Sequence, residues 1–165
     1  MNQMTLQELY EIGCTFESAI GQGSKSERAR IPKNSSRICF SEDFINNIVN
    51  YNNKVNFLVA GEIWCPDFQL NTTVLKKIID LNDNFDMSVI TMARGKKFLQ
   101  PILNIEDAKY PLIVALDKDF NILGIFQERP QIVKEASSFE DIKLDYYKGK
   151  YLSNTANYIW EIINK

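Results

Sequence analysis

The segment that most restricts this chain is the run Val55 to Ala60, VNFLVA, followed by Trp64-Cys65-Pro66-Asp67. Six nearly all-apolar residues in a row suit a strand buried on both faces, as in a parallel sheet. A helix then reads from Leu70, Val74, Leu75, Ile78 and Leu81, which recur at helical spacing. A second apolar run, Met87 to Met92, reads as another strand. Strand, helix and strand make a βαβ unit, whose crossover is expected to be right-handed. Cys65 therefore sits where the first strand gives way to its helix.

The flanking sequence is legible in the same terms. Thr5-Leu6-Gln7-Glu8 has capping-box form and opens a helix carrying Leu6, Leu9, Tyr10, Phe16 and Ile20, which Gly21 to Gly23 should break. Ser24 to Glu27 is a second box, for a short polar helix expected to end before Pro32. Ser41, Glu42 and Asp43 start a third helix with Phe44, Ile45, Ile48 and Val49 facing inward. A shorter helix is expected around Lys96 to Leu103. Leu112 to Leu116 and Asn121 to Phe126 flank Asp117-Lys118-Asp119-Phe120, the signature of a hairpin. Pro130 can open a short helix, and Ser153 is read as the cap of the last one, with Ile159, Trp160, Ile162 and Ile163 on it.

Composition removes whole classes of chemistry. The chain has 165 residues and no histidine, so Ser-His and Cys-His pairs and His-containing zinc sites are out. Three cysteines cannot make an all-cysteine zinc site, and neither metal nor cofactor is expected. The 19 basic and 21 acidic side chains leave a net charge of −2, the wrong balance for a nucleic-acid partner or an anionic membrane. The polar start, Met1 to Tyr10, has no apolar h-region, and no stretch reaches the roughly 20 apolar residues of a membrane span. A sparse, odd cysteine set then points to a reducing, cytoplasmic location.

With Trp64-Cys65-Pro66-Asp67-Phe68 after a buried strand, Tyr110-Pro111 before another, and a closing hairpin from Asp117 to Gly124, the chain resembles thioredoxin-fold proteins. The longer pattern, including Glu128-Arg129-Pro130, is similar to a bacterial thioredoxin-like family that normally reads Trp-Cys-x-Asp-Cys. The specific resemblance covers about Asn56 to Pro130. It implies an α/β fold: a mixed four- or five-stranded sheet between helices, with residues 1–53 as an N-terminal helical arm and residues 54–165 as the core domain with a C-terminal helical extension. It also implies a cis Pro111 facing Cys65 and shaping a groove for an extended thiol-bearing peptide.

Phe68 stands where the resemblance places a second cysteine. Without that sulfur, internal resolution of a mixed disulfide is lost and only one-thiol exchange remains. Peroxide reduction is not expected either, since Glu62 stands where peroxiredoxins carry a threonine. Pro66 suits the first helical turn, and the backbone N–H groups there favour thiolate, whereas Asp67 and Glu62 oppose it. The candidate site comprises Cys65 as nucleophile with Pro111, Trp64, Asp67 and Glu62 around it. Pro66, Phe68, Tyr110 and Arg94 are candidate binding residues. Trp64 and Phe68 read mainly as packing residues, Arg129 as a tie for the C-terminal segment, and Tyr146-Tyr147 as packing. Cys14 and Cys39 read as small buried hydrophobes, although an arm folded over the site would let either resolve Cys65. Two readings stay open: a monothiol exchanger acting on protein or low-molecular-weight thiols and disulfides, or a redox-inactive thioredoxin-like module that binds peptides.

Overall fold

The computed structural model describes residues 3–165. Its centre is a four-stranded sheet in the order β2-β1-β3-β4. Strand β1 (Val55–Ala60) pairs in parallel with β2 (Phe85–Ile90) and antiparallel with β3 (Leu112–Leu116). Strand β3 pairs antiparallel with β4 (Ile122–Gln127). All six residues of β1 are buried, because both faces of the sheet are covered. On one face Val55, Phe57 and Val59 join a core with Val74, Ile78, Phe126 and Ile159. On the other, Leu58 and Ala60 pack with Leu9, Leu99, Leu112 and Val114.

The elements follow the expected caps and runs with five corrections, the last at Val49. The arm does not begin as one helix: α1 (Leu6–Ile12) and α2 (Phe16–Gly21) are separated at Cys14. Cys14 exchanges backbone hydrogen bonds with Val89, 2.9 and 2.8 Å, and so caps the open edge of β2. Gly13 permits that approach, since a β-carbon there would collide with the Ser88 hydroxyl. Second, α3 (Lys25–Arg37) runs through Pro32. An interior proline costs ~3 kcal/mol, but the turn beyond it is held from outside. Asn34 donates to the Gln69 carbonyl and Lys77 to the Ser35 carbonyl.

Third, β2 starts two residues earlier than the apolar run, at Phe85, and ends at Ile90. Thr91 caps α6 (Met92–Arg94), which continues through a π-helical turn (Gly95–Leu99) into α7 (Gln100–Leu103). Fourth, the cap of α10 (Leu152–Ile163) is Tyr151, and Ser153 lies inside the helix. In α4 (Glu42–Val49) Phe44 and Ile48 are buried, but Val49 is exposed. Between β1 and β2 lies α5 (Pro66–Ile79), which packs against α3 and α10. After β4 come α8 (Gln131–Lys134) and α9 (Phe139–Tyr147). Among the described residues no helix is long and apolar enough to cross a membrane.

Candidate functional site

The site is built where β1 ends and α5 begins. Cys65 is the N-cap of α5, half-buried, with Pro66 as the first helical residue. Its sulfur makes no capping hydrogen bond. The thiol donates to Asp67 Oδ2 at 3.9 Å. A cavity of about 250 Å³ opens over the sulfur, lined by Glu62, Trp64, Cys65, Tyr110, Pro111 and Glu128. Lys96 and Lys109 add two cations to its rim. The Tyr110–Pro111 peptide bond is cis.

Trp64 is 55% exposed, so it is not the packing residue its size suggests. It lies against the cavity with only part of its ring covered. Phe68 does pack: it is fully buried and fills the space beneath Gly61. Burying such a ring contributes ~1.5–3 kcal/mol. Position 68 is thus a core position.

Burial is the main influence on the Cys65 thiol and pushes its pKa up. The backbone of Phe68 works against this by favouring thiolate. The Asp67 carboxylate pushes the value up again, its backbone lowers it, and Glu128 adds a further upward push. The net displacement is upward, which settles the competition between helix start and carboxylates in favour of burial and the acids.

Asp67 is much more than a helix-start acid. It is buried, and Arg129 Nε donates to its Oδ1 at 3.0 Å. The Tyr146 hydroxyl donates to the same oxygen at 2.7 Å. Asn71 donates to the Tyr146 hydroxyl and to the carbonyls of Asp67 and Glu128, and its own oxygen accepts from Thr155. The Arg129 guanidinium lies 3.7 Å over the Phe139 ring. Glu128, in the left-handed region at φ 66°, turns the chain so that Arg129 reaches back under α5. Tyr146 is therefore a hydrogen-bonding member of the site as well as a packing residue, and its hydroxyl is pushed well above the usual phenol range by burial and then by Asp67.

The remaining candidates divide. Glu62 lines the Cys65 cavity, but its carboxylate accepts from the Met92 N–H at 2.8 Å and so is tied to the start of α6. Arg94 is exposed, forms no ion pair among the described residues, and lines a separate cavity with Cys14 and Glu62. The Tyr110 hydroxyl donates to Gln100 Oε1, which anchors α7 beside the groove. Cys14 is half-buried and Cys39 exposed, not buried as expected; all three cysteines are free. Asn71, Tyr146 and Thr155 are site residues that the sequence does not announce: Tyr146 reaches the Asp67 carboxylate only through the fold, and Asn71 and Thr155 join it through Tyr146 and each other. The one sequence signal is Arg129, singled out as a tie.

A thioredoxin family model matches residues 13–143. The chain belongs to the thioredoxin family. The match extends well beyond the segment that carries the motif and takes in most of the helical arm and part of α9. A crystal structure of a protein of unknown function from Pseudomonas aeruginosa superposes with a TM-score of 0.91 at 29% identity, covering 99% of this chain and 98% of that one. An HIV epitope scaffold is similar to the same degree, with a TM-score of 0.91 and 29% identity over 98% of each chain. No curated protein matches the sequence.

Proposed function

We propose that this family member carries out monothiol exchange through Cys65, acting on protein or low-molecular-weight disulfides in a role of cell redox homeostasis. The observation that supports it best is the half-exposed sulfur at the N-cap of α5, in one cavity with the cis Pro111 and the exposed Trp64. The Cys65 thiolate attacks one sulfur of a bound disulfide R–S–S–R′. The Cys65–S–S–R bond forms, the R–S–S–R′ bond breaks, and R′–S⁻ leaves and takes up a proton. With Phe68 in the partner position, an external thiolate G–S⁻ then attacks the Cys65 sulfur and releases R–S⁻, and a second external thiolate attacks the resulting Cys65–S–S–G bond, forming G–S–S–G and returning Cys65 as thiolate. The bound disulfide is reduced and two external thiol equivalents are oxidised in each cycle. The resting thiol donates to Asp67 Oδ2 at 3.9 Å, a contact that holds it in the protonated form until thiolate is drawn off by reaction.

A second reading rests on the upward-shifted thiol. A cysteine kept protonated at neutral pH suits a groove that binds peptides without turnover. The two are separated in protein carrying Cys14→Ser and Cys39→Ser, so that only Cys65 reacts. Under the exchange reading, an oxidised small thiol forms an adduct at Cys65 by mass spectrometry, and a free thiol reverses it. The rate with an alkylating probe is below that of a free cysteine at pH 7. It keeps rising past pH ~8.5, the ordinary thiol value, because thiolate accumulates only above it. Absence of any adduct in folded protein at pH ~9, together with peptide capture that survives Cys65→Ser, replaces exchange with the binding reading.

A further inference from the structure

Beside the first turn of α5, on a different side from the Cys65 cavity, lies a second concavity of about 480 Å³. Its walls are α3 and the end of α9, and Pro66 and Gln69 form part of its floor. Arg30, Lys33, Arg37 and Lys148 line it, and no carboxylate does. None of the four forms an ion pair among the described residues. Their concentration runs against a chain whose net charge is −2. Helix α3 itself carries Lys25, Arg28, Arg30, Lys33 and Arg37 against Glu27 alone, and Glu27 is spent in the capping box.

The two arginines are positioned without being neutralised. Arg30 donates to Gln69 Oε1 at 3.3 Å, and Arg37 donates to the Tyr147 carbonyl at 3.5 Å. The Arg37 stem lies against Gly149, which has a positive φ of 95°. Both contacts use neutral acceptors and leave further donors of each fork unused. Four like charges around one hollow repel each other, and an oxyanion placed among them relieves that repulsion. The volume falls within the ~300–1,000 Å³ range of small-molecule sites. The chain is acidic overall, the wrong balance for a nucleic-acid partner.

We propose that this groove binds a small ligand bearing two or more clustered oxyanions, held by the forks of Arg30 and Arg37 with Lys33 and Lys148 closing from opposite walls. Guanidinium forks match phosphoryl and carboxylate groups in the same bidentate way. Pyrophosphate and citrate are the probes that distinguish those two sources. The groove does not depend on the thiol, so the site stands or falls independently of exchange at Cys65.

The test is calorimetric titration of the full chain with each probe at fixed ionic strength, with acetate as the monovalent comparison. Pyrophosphate, citrate or both should bind measurably tighter than acetate, and the Cys65→Ser protein should bind as wild type. Lys33→Gln combined with Lys148→Gln removes one exposed cation from each wall, and Arg30→Gln removes a fork. Each should weaken binding about tenfold or more, as loss of charge-assisted contacts does, whereas Lys118→Gln in the distant hairpin turn should not. Thermal midpoints without ligand check that the variants fold, and the ligand-induced rise in midpoint gives a second readout. Affinities no better than acetate, or equal in wild type and the double variant, overturn the site.

Discussion

Alanine in place of Asp67 is expected to destabilise the protein by about 3 kcal/mol or more. Removing one partner of a buried ion pair costs ~3–5 kcal/mol because the other charge is left uncompensated. Here that charge is Arg129, whose side chain is 19% exposed. Its contact with Glu128 at 3.7 Å remains, which places the effect toward the lower end of the range. The Tyr146 hydroxyl would lose its acceptor as well. Asp67→Asn keeps an acceptor and most of the volume, so a loss of roughly 1–3 kcal/mol is expected, the scale of a hydrogen bond to a charged group. Urea unfolding measures both. Hydrogen exchange should show the loss concentrated in α9, because Asp67 fastens Arg129 and Tyr146 from that end of the chain to α5. A change below ~1 kcal/mol for Asp67→Ala would mean that the C-terminal extension is held by its apolar contacts alone. Both substitutions also remove the carboxylate that pushes the Cys65 thiol up. Alkylation of Cys65 at pH 7 should therefore be faster in Asp67→Asn than in wild type, opposite in sign to the loss of stability.

How much of this is legible in the sequence depends on how far each signal reaches along the chain. VNFLVA reads as β1 to the residue because a run apolar on both faces needs no partner to be recognised. The boxes at Thr5 and Ser24 read with their Glu partners because a capping box is complete within four residues. Sequence and structure part where a distant contact overrides a local rule. Pro32 should stop a helix, yet Gln69 and Lys77 hold the turn beyond it. Cys14 should continue a helix, yet the open edge of β2 takes its backbone. Ser153 has the chemistry of a cap, but the turn at Gly149 starts α10 two residues early. At the site, the position of Cys65, its proline and its neighbouring acids follow from the motif. The network on Asp67 does not, because Tyr146 lies 79 residues away and its hydroxyl carries no pattern that announces a buried acceptor. Trp64 departs from expectation for a related reason: size predicts burial on average, and a ring at the mouth of a groove is an exception only the fold reveals.

Phe68→Cys is expected to lower stability by about 3 kcal/mol while creating a redox-active pair that the wild type lacks. Phe68 is fully buried, and removing a core phenylalanine ring costs ~3–5 kcal/mol through lost burial and residual cavity. The sulfur refills part of that space, which argues for the lower figure. The new thiol would sit at the third residue of α5, one turn from the N-cap sulfur. Side chains three apart on a helix lie ~5–6 Å from each other at their β-carbons, and the bridging distance of ~3.5–4.5 Å needs only a small adjustment at the flexible helix start. Oxidised Phe68→Cys protein should therefore contain a disulfide between Cys65 and the introduced thiol by peptide mapping. The reduced form should turn over in an insulin-reduction assay, and wild type should not. Phe68→Ala is the control, since it opens the same cavity without a sulfur and should lose stability without gaining turnover. A folded Phe68→Cys protein, with native near-ultraviolet circular dichroism, that forms no internal disulfide would show that the introduced sulfur is held away from Cys65 by the core around it. The difference from a two-cysteine site would then extend beyond one side chain to the packing beneath the helix start.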